Sequence, residues 1–238
     1  MIPFDIDPGH LAYIYGLIQT DGHYSSYSRN RGRISNELSE RDKDILFKIE
    51  EILPVSCTIS TRTRQTNFKP SSTTFTLNIF DYDFRMMLEG FGLSPGKKSS
   101  SIKPPDFNTH NLIERDYWRG VIDGDGSLGF TKYGIPFISL VSKSDELIES
   151  YKDLIKIHCD YRPITKRNKR NDAYNVTVFR QSPKLIERLY PPNCLGIDRK
   201  IKLAQMITFS TPDVGCAPNG GPSVIGMGRR TACAARTV

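Results

Sequence analysis

Two aspartates, each followed by a glycine, are the residues of this chain with the clearest potential for chemistry. Asp21 and Gly22 close the segment LAYIYGLIQTDG, and Asp125 and Gly126 close the related segment RDYWRGVIDGDG, 104 positions further along. Apolar residues recur at helical spacing in both segments, so each aspartate is expected at the C-terminal end of a helix, before a glycine cap. The repeated pair indicates a duplicated element rather than two unrelated turns.

The resemblance between these segments is part of a longer internal repeat. The segment GLSPGK, which ends at Lys97, resembles GIDRK, which ends at Lys200. Asp21 and Lys97 are 76 positions apart, and Asp125 and Lys200 are 75 apart. We therefore predict two related halves. The predicted boundaries are 1–99 for the first half, 100–114 for a linker, 115–210 for the second half and 211–238 for a disordered tail.

Small residues on one stripe of each repeated helix, such as Gly16 and Gly120, predict that the two helices pack directly against each other. A glycine inside a helix costs about 1 kcal/mol relative to alanine, so two glycines at equivalent places need a packing reason. This packing would bring Asp21 and Asp125 together. Two like charges that share one site raise a pKa unless cations compensate for them.

Divalent metal ions bound between the two aspartates would relieve this repulsion. Oxygen donors without a histidine pair or clustered thiolates predict Mg²⁺, with Mn²⁺ as a substitute, rather than zinc. Two carboxylates around shared metal ions are suited to in-line attack of water on a phosphodiester. Lys97 and Lys200 are candidates for stabilising the developing charge, with Lys98 and Lys202 as alternatives. The flanking residues complete the candidate metal site: Thr20, Gly22, Gly124 and Gly126.

Each half is predicted to contain the same series of elements: helix, strand, strand, helix, strand, strand, helix. This series indicates an α+β fold made of two pseudo-symmetric αββαββα units that pack through the repeated helices. Alternating and apolar patterns locate the strands and the inner helices. The predicted ranges are strands at 23–29, 33–39, 57–64 and 73–80 around a helix at 42–53, then strands at 127–132, 136–142, 161–167 and 173–180 around a helix at 144–158.

Positive charge in the predicted strands and turns points to nucleic acid. The net charge of +7 and the pI near 9.1 favour acidic partners. The basic positions fit a sheet face that lies on double-stranded DNA, although any one of these side chains could instead be simply solvated. Tyr24 and Tyr27 are further candidates for contact with DNA. The candidate DNA-binding residues are Arg29, Arg31, Arg33, Arg62, Arg64, Lys69, Lys132, Lys166, Arg167, Lys169, Arg170 and Arg180.

Composition excludes several other classes of protein. Hydrophobic residues make up 38% and charged residues 25% of the chain, as in an ordinary globular protein. No apolar run approaches the roughly 18 residues of a membrane span, and the first residues do not resemble a signal peptide. The five cysteines form no CxxC pair, which favours a reducing compartment. We therefore expect an intracellular protein, in the cytoplasm, nucleoid or an organelle matrix, without a membrane partner.

The repeated segments YGLIQTDG and RGVIDGDG resemble the two signature helices of the LAGLIDADG homing endonucleases, and the resemblance extends over residues 8–208. It implies two four-stranded antiparallel sheets that form a saddle over the DNA major groove. It also implies metal binding by Asp21 and Asp125, and cleavage of both strands at a long pseudo-palindromic site that leaves short 3′ overhangs. The sixth motif position is Gln19 in one copy and Asp123 in the other, so an asymmetric target is expected.

One alternative of another class remains open at this point. A LAGLIDADG-type protein can bind nucleic acid without cutting it, as an intron RNA maturase or a regulator, and intron RNA could be a second partner. Loss of an acidic residue would favour this alternative, but both Asp21 and Asp125 are present. Because both halves belong to one chain, we expect a monomer.

Overall fold

The structure, a computed structural model, describes residues 4–66, 69–96 and 99–210. The predicted tail at 211–238, Lys97 and Lys98 lie outside the described residues. The elements follow one another in two runs, which we call the first and the second half, and the predicted boundaries between them stay predictions. The first half contains α1 (Pro8–Asp21), β1 (Gly22–Ser26), β2 (Gly32–Ser39), α2 (Asp44–Ile52), β3 (Cys57–Thr66), β4 (Lys69–Ile79) and α3 (Tyr82–Gly90). The second half contains α4 (Glu114–Asp125), β5 (Gly126–Phe130), β6 (Pro136–Ser142), α5 (Asp145–Cys159), β7 (Tyr174–Val178), α6 (Ser182–Leu189) and α7 (Asp198–Ser210).

Each predicted catalytic aspartate is the last residue of its helix. α1 ends at Asp21 and α4 at Asp125, and the glycine that follows has extended backbone and begins a strand. The glycines are therefore not left-handed caps. Glycine is needed at these positions because a side chain would not fit: a Cβ on Gly22 would lie 2.6 Å from the carbonyl oxygen of Ile18. A sharp passage from helix to strand thus fixes the position of each carboxylate.

Each half contains an antiparallel sheet with one face against the helices. The first sheet has the strand order β1-β2-β4-β3, and the second sheet has the order β5-β6-β7. Alternate residues of β2 and β4, including Ile34, Leu77 and Ile79, are buried beneath the helices. The residues between them are polar and form an outer face. The predicted α+β architecture with antiparallel sheets is confirmed.

The second half differs from the predicted αββαββα order. Residues 161–167 form no strand, so the second sheet has three strands where four were expected. Pro163 has no N–H to donate to a neighbouring strand, and only Asn168 pairs with Ala173 as an isolated bridge. Thr165 makes a side-chain hydrogen bond to the carbonyl oxygen of Asn175 at 3.2 Å, so this segment runs beside β7 without joining it.

The helices α1 and α4 pack directly against each other, as the small residues predicted. A Cβ on Gly16 would lie 2.4 Å from the carbonyl oxygen of Tyr117, and a Cβ on Gly120 would lie 2.2 Å from that of Tyr13. Both residues of one contact lie 104 positions from their counterparts in the other. The contact, which we call the helix seam, is therefore reciprocal and follows the internal repeat.

Apolar side chains from both halves form a single core around the seam. Tyr13, Tyr15, Tyr117 and Trp118 are all buried within it. Tyr24 is also buried, and its hydroxyl donates to the carboxylate of Glu89, so the expectation that Tyr24 contacts DNA is wrong. None of the helices in the described ranges has the length and apolar character needed to cross a membrane.

Candidate active site and nucleic-acid interface

The structure brings the two halves of the predicted carboxylate site together at one end of the helix seam. The last turns of α1 and α4 touch, because a Cβ on Gly124 would lie 2.1 Å from Oγ1 of Thr20 and 3.4 Å from Cβ of Asp21. Asp21 and Asp125 both lie at this end with exposed side chains. The sequence repeat therefore predicted residues that the fold places at adjoining helix ends.

The chemistry of these donors fits a hard divalent cation. The available groups are the carboxylates of Asp21 and Asp125 and the backbone oxygens of Thr20, Gly124 and their neighbours. Oxygen donors of this kind suit Mg²⁺, and the negative ends of two helix dipoles favour positive charge at the same place. Among the described residues, no group of three or more His, Cys, Asp or Glu side chains is placed to hold a metal ion. A cation held here would therefore need backbone and water oxygens in addition to the two carboxylates.

The residues at the sixth motif position brace the seam behind the carboxylate pair. The hydroxyl of Tyr13 donates to Oδ2 of Asp123 at 2.8 Å, and the hydroxyl of Tyr117 donates to Oε1 of Gln19 at 2.6 Å. The two bonds cross the seam in opposite directions and are equivalent by the internal repeat. Glutamine and aspartate can both accept such a bond, so their exchange at this position preserves the reciprocal contact.

Asp123 is a buried carboxylate with several donors around it. Burial raises its pKa, and nearby Lys200, the backbone N–H of Ile197 and the hydroxyl of Tyr190 act in the opposite direction. The bonds from Ile197 and Tyr190 are 2.8 and 2.7 Å long. Burial and the Asp123 carboxylate raise the pKa of Tyr190 and of Tyr13, which keeps both hydroxyls protonated as donors.

Lys200 caps the end of α4. Its side chain is only 2% exposed, and its ammonium donates to the carbonyl oxygens of Ile122, Asp123 and Gly126 at 2.5, 2.9 and 2.9 Å. Burial lowers its pKa to about 8, and the charge of Asp123 opposes this shift. The three bonds occupy all three donors of the ammonium, so the geometry favours a capping role over direct contact with DNA. The equivalent residue of the first half, Lys97, lies outside the described ranges.

Beside Asp21, the outer face of the first sheet forms a polar groove with a cavity volume of about 340 Å³. Two of the predicted DNA-binding residues, Arg33 and Arg62, line it, which joins the candidate catalytic and binding residues in one surface. The serine, threonine, glutamate and asparagine residues of the lining were not predicted from the sequence, although the alternation of polar residues in β2, β3 and β4 could have indicated them. The lining residues are Asp21, His23, Arg33, Ser35, Glu37, Ser60, Arg62, Thr76 and Asn78.

The turn between β1 and β2 carries two more of the predicted arginines, Arg29 and Arg31, both exposed. Arg29 and Asn30 have φ angles of 60° and 58°, so the backbone of this turn is held in the left-handed region. Arg85 of α3, which is buried, donates to the carbonyl oxygen of Asn30 at 2.7 Å and to that of Phe80 at 3.3 Å. The role of Arg85 could not be predicted from the sequence, because nothing in the spacing of α3 distinguishes it from an exposed arginine.

The basic residues predicted in the second half lie in turns and loops outside the strands. Arg167 differs from the others because it forms ion pairs with Asp145 and Asp172 at 3.0 and 3.1 Å. Hydrogen bonds to Tyr174 and to these carboxylates raise its pKa, and it thereby ties the turn to α5. In the first half, Arg64 is exposed on β3 and Lys69 lies in β4. The remaining predicted residues are exposed: Lys132, Lys166, Lys169, Arg170 and Arg180.

No protein-family model and no curated protein sequence matches the chain. Solved structures do match. The homing endonuclease I-WcaI bound to its DNA recognition sequence matches with a TM-score of 0.59 and 16% identity, over 84% of this chain and 87% of that one. The I-LtrWI LAGLIDADG homing endonuclease bound to target DNA matches with a TM-score of 0.50 and 15% identity, over 84% and 89% of the two chains.

A third match is a protein that is not named as a nuclease. Full-length DUF199/WhiA from Thermatoga maritima matches with a TM-score of 0.50 and 12% identity, over 90% of this chain and 64% of that one. At identities this low, the structural matches establish the fold alone, and the activity must be argued from the site. The chain has the fold of the LAGLIDADG homing endonucleases.

Proposed function

We propose that this chain is a site-specific endonuclease that hydrolyses both strands of double-stranded DNA with Mg²⁺, or with Mn²⁺ in its place. Its target would be a long pseudo-palindromic site, cut to leave short 3′ overhangs. The observation that carries this proposal is the pair of exposed carboxylates, Asp21 and Asp125, at the touching ends of two packed helices. The adjoining groove with Arg33 and Arg62 supplies the positive charge that a DNA backbone needs.

Each part of the site would have a separate task. Asp21 and Asp125 would hold the divalent ion together with oxygens of Thr20, Gly22 and Gly124, whereas the carbonyl oxygen of Gly126 already accepts from Lys200. A bound ion would supply an activated water and charge stabilisation at the phosphate. Arg33 and Arg62 would bind and orient the duplex. Lys200 would fix the end of α4 and so the position of Asp125, which makes it a positioning residue, and Lys97 stays the candidate for contact with the phosphate.

The fold supports this proposal, since I-WcaI and I-LtrWI are homing endonucleases bound to DNA. The closed seam between α1 and α4 supports a monomer as the active form, because each helix already has its partner. We further propose that the protein acts inside the cell, in the cytoplasm, nucleoid or an organelle matrix, where its DNA target lies.

The direct test is cleavage by the full chain of a large library of DNA duplexes with Mg²⁺, followed by sequencing of the new ends. We expect one family of long sites, cut on both strands with the same short stagger, and no products with EDTA. Products without a common sequence would contradict site-specific cleavage. Equal cutting in EDTA would contradict the dependence on a divalent metal.

The fold also supports a second candidate, a nucleic-acid-binding protein that does not cut, such as an intron RNA maturase or a regulator. The match to DUF199/WhiA supports this second candidate, because that protein shares the fold and is not named as a nuclease. Selective binding of DNA or intron RNA without cleavage in Mg²⁺ or Mn²⁺ would identify this second function.

A further inference from the structure

The outer faces of the two sheets differ in chemistry. The strands of the first sheet carry His23, Arg33, Glu37, Arg62 and Arg64, and each of these is exposed. The strands β5, β6 and β7 read GSLGF, PFISLVS and YNVTV and contain no histidine and no charged residue at any position. The internal repeat therefore preserves the framework of the two halves, but it does not preserve the groups that face outward.

The outward residues of the first sheet present hydrogen-bonding groups to a ligand. Arg33 and Arg62 lie in the polar groove, and in the described part of the chain their guanidinium groups make no hydrogen bond or ion pair with another residue. Glu37 lines the same groove opposite Thr76, whereas Asn78 is only 6% exposed there and its amide group donates to Ser60 and Thr76. Arginine reads guanine, and glutamate accepts from the amino group of cytosine. This face can distinguish bases by direct hydrogen bonds.

The outward residues of the second sheet offer few such groups. Phe137 lies opposite Gly129 with its ring 3.6 Å from the position a Cβ would take there, and Val141 is exposed on the same face four residues further along β6. The hydroxyls of Ser127 and Ser139 are bonded to each other at 2.7 Å, and the hydroxyl of Thr177 donates to Oδ1 of the exposed Asn175 at 3.1 Å. This face is uncharged and its polar side chains bond to one another, so it contacts thymine methyl groups through its apolar residues and otherwise follows the shape of the groove.

The positive charge of the second half lies at the margins of its sheet instead. Lys132 is in the turn between β5 and β6, Lys169 and Arg170 are in the turn before β7, and Arg180 follows β7. Basic side chains in turns contact phosphates and fix the duplex without reading its sequence. The second half is therefore built to hold the DNA backbone.

We propose that the two halves read their DNA half-sites unequally. The first sheet reads its half-site base by base through hydrogen bonds, whereas the second sheet holds its half-site by phosphate contacts and a preference for thymine methyl groups. The half-site under the second sheet therefore tolerates sequence changes that the other half-site does not. This inference rests on the proposed recognition of a specific DNA site.

The test selects bound duplexes from a randomised DNA library with the full-length chain and sequences them. We expect one side of the selected site to have strong base preferences and the other side weak preferences with an excess of thymine. Equal preferences on the two sides would overturn this inference and leave the proposed function intact. Failure to enrich any sequence would overturn both.

Substitutions assign the sides to the sheets. We expect Arg62→Ala to lower discrimination within the strongly specified half-site by about tenfold to a hundredfold at the affected base. Phe137→Ala should reduce the thymine preference of the other half-site only. The matched control is Arg170→Ala, which removes the same charge from a turn and should weaken binding to all sequences equally. Loss of discrimination in the weakly specified half-site on Arg62→Ala would contradict the assignment.

Discussion

At the scale of single residues, the exposed aspartates and the buried residues behind them perform different tasks. Asp21 and Asp125 could be predicted because the repeat sets them at equivalent helix ends. The burial of Asp123 could not be predicted in this way, since the motif alone does not tell which of its two aspartates faces solvent. The partners of Asp123, Tyr13 and Tyr190, come from other elements and become visible only when the helices pack.

The capping role of Lys200 leads to a prediction for Lys200→Met. The change keeps an apolar chain but leaves three carbonyl oxygens at the end of α4 without their donor. We expect the free energy of unfolding to fall by about 2 to 4 kcal/mol, as measured by urea denaturation. The cleavage rate should fall more than DNA affinity does, because Asp125 loses its fixed position.

The matched control is Lys202→Met, which removes an exposed lysine from the same helix and should change stability by less than about 0.5 kcal/mol. If Lys200→Met lowers cleavage with no loss of stability and no change in hydrogen exchange at residues 122–126, Lys200 acts on the substrate directly and its role as a cap is wrong.

At the scale of elements, the site is positioned by the helix seam and by the first hairpin, which consists of β1, β2 and the turn between them. The seam could be predicted from Gly16 and Gly120, because two interior glycines at equivalent places require close packing. The strand expected at 161–167 could not be judged from alternation alone. Pro163 and the ion pairs of Arg167 outweigh β propensity there, and the second sheet loses a strand as a result.

Gly16→Ala tests the seam. The new methyl group would lie 2.4 Å from the carbonyl oxygen of Tyr117, so the two helices must separate. We expect a loss of about 2 to 3 kcal/mol in the free energy of unfolding and a large loss of cleavage, since Asp21 and Asp125 move apart. Gly90→Ala is the control, because nothing lies within 4 Å of a Cβ at that position. An equally small change in the free energy of unfolding for Gly16→Ala and Gly90→Ala would contradict the close approach of the two helices.

Arg85→Met tests the support of the first hairpin turn. Asn30 and Phe80 lose the donor to their carbonyl oxygens, so the turn that carries Arg29 and Arg31 is no longer held to α3. We expect hydrogen exchange at residues 27–32 to increase and DNA affinity to fall severalfold. The control is Arg188→Met, which removes an exposed charge. It should change hydrogen exchange at residues 27–32 and DNA affinity much less than Arg85→Met does. Unchanged hydrogen exchange in Arg85→Met would show that the turn keeps its conformation without Arg85.

At the scale of the whole molecule, two related halves form one unit with unlike surfaces. Besides the seam, Arg199 at the start of α7 binds the buried Asp42 of the first half through two bonds, at 2.7 and 3.1 Å. Lys48 and Asp198 add a second ion pair between the halves. The sequence predicted the duplication, but these contacts could not be predicted, because their partners lie far apart in the chain.

The closed seam predicts that one chain binds one DNA duplex. Light scattering should give the mass of a single 27.0 kDa chain in solution and of one chain with one duplex in the complex. The reason is that α1 and α4 already cover each other, so neither remains to pair with a second copy. A complex that contains two chains per site would contradict this arrangement.

The most direct test of the central claim compares Asp21→Asn and Asp125→Asn with the unchanged chain on its selected target in Mg²⁺. Each substitution removes one charge at the touching helix ends, so we predict loss of double-strand cleavage with DNA binding retained. Asp83→Asn, which removes an exposed aspartate from α3, should cut normally. Undiminished double-strand cleavage by either Asp21→Asn or Asp125→Asn would contradict the assignment of the active site.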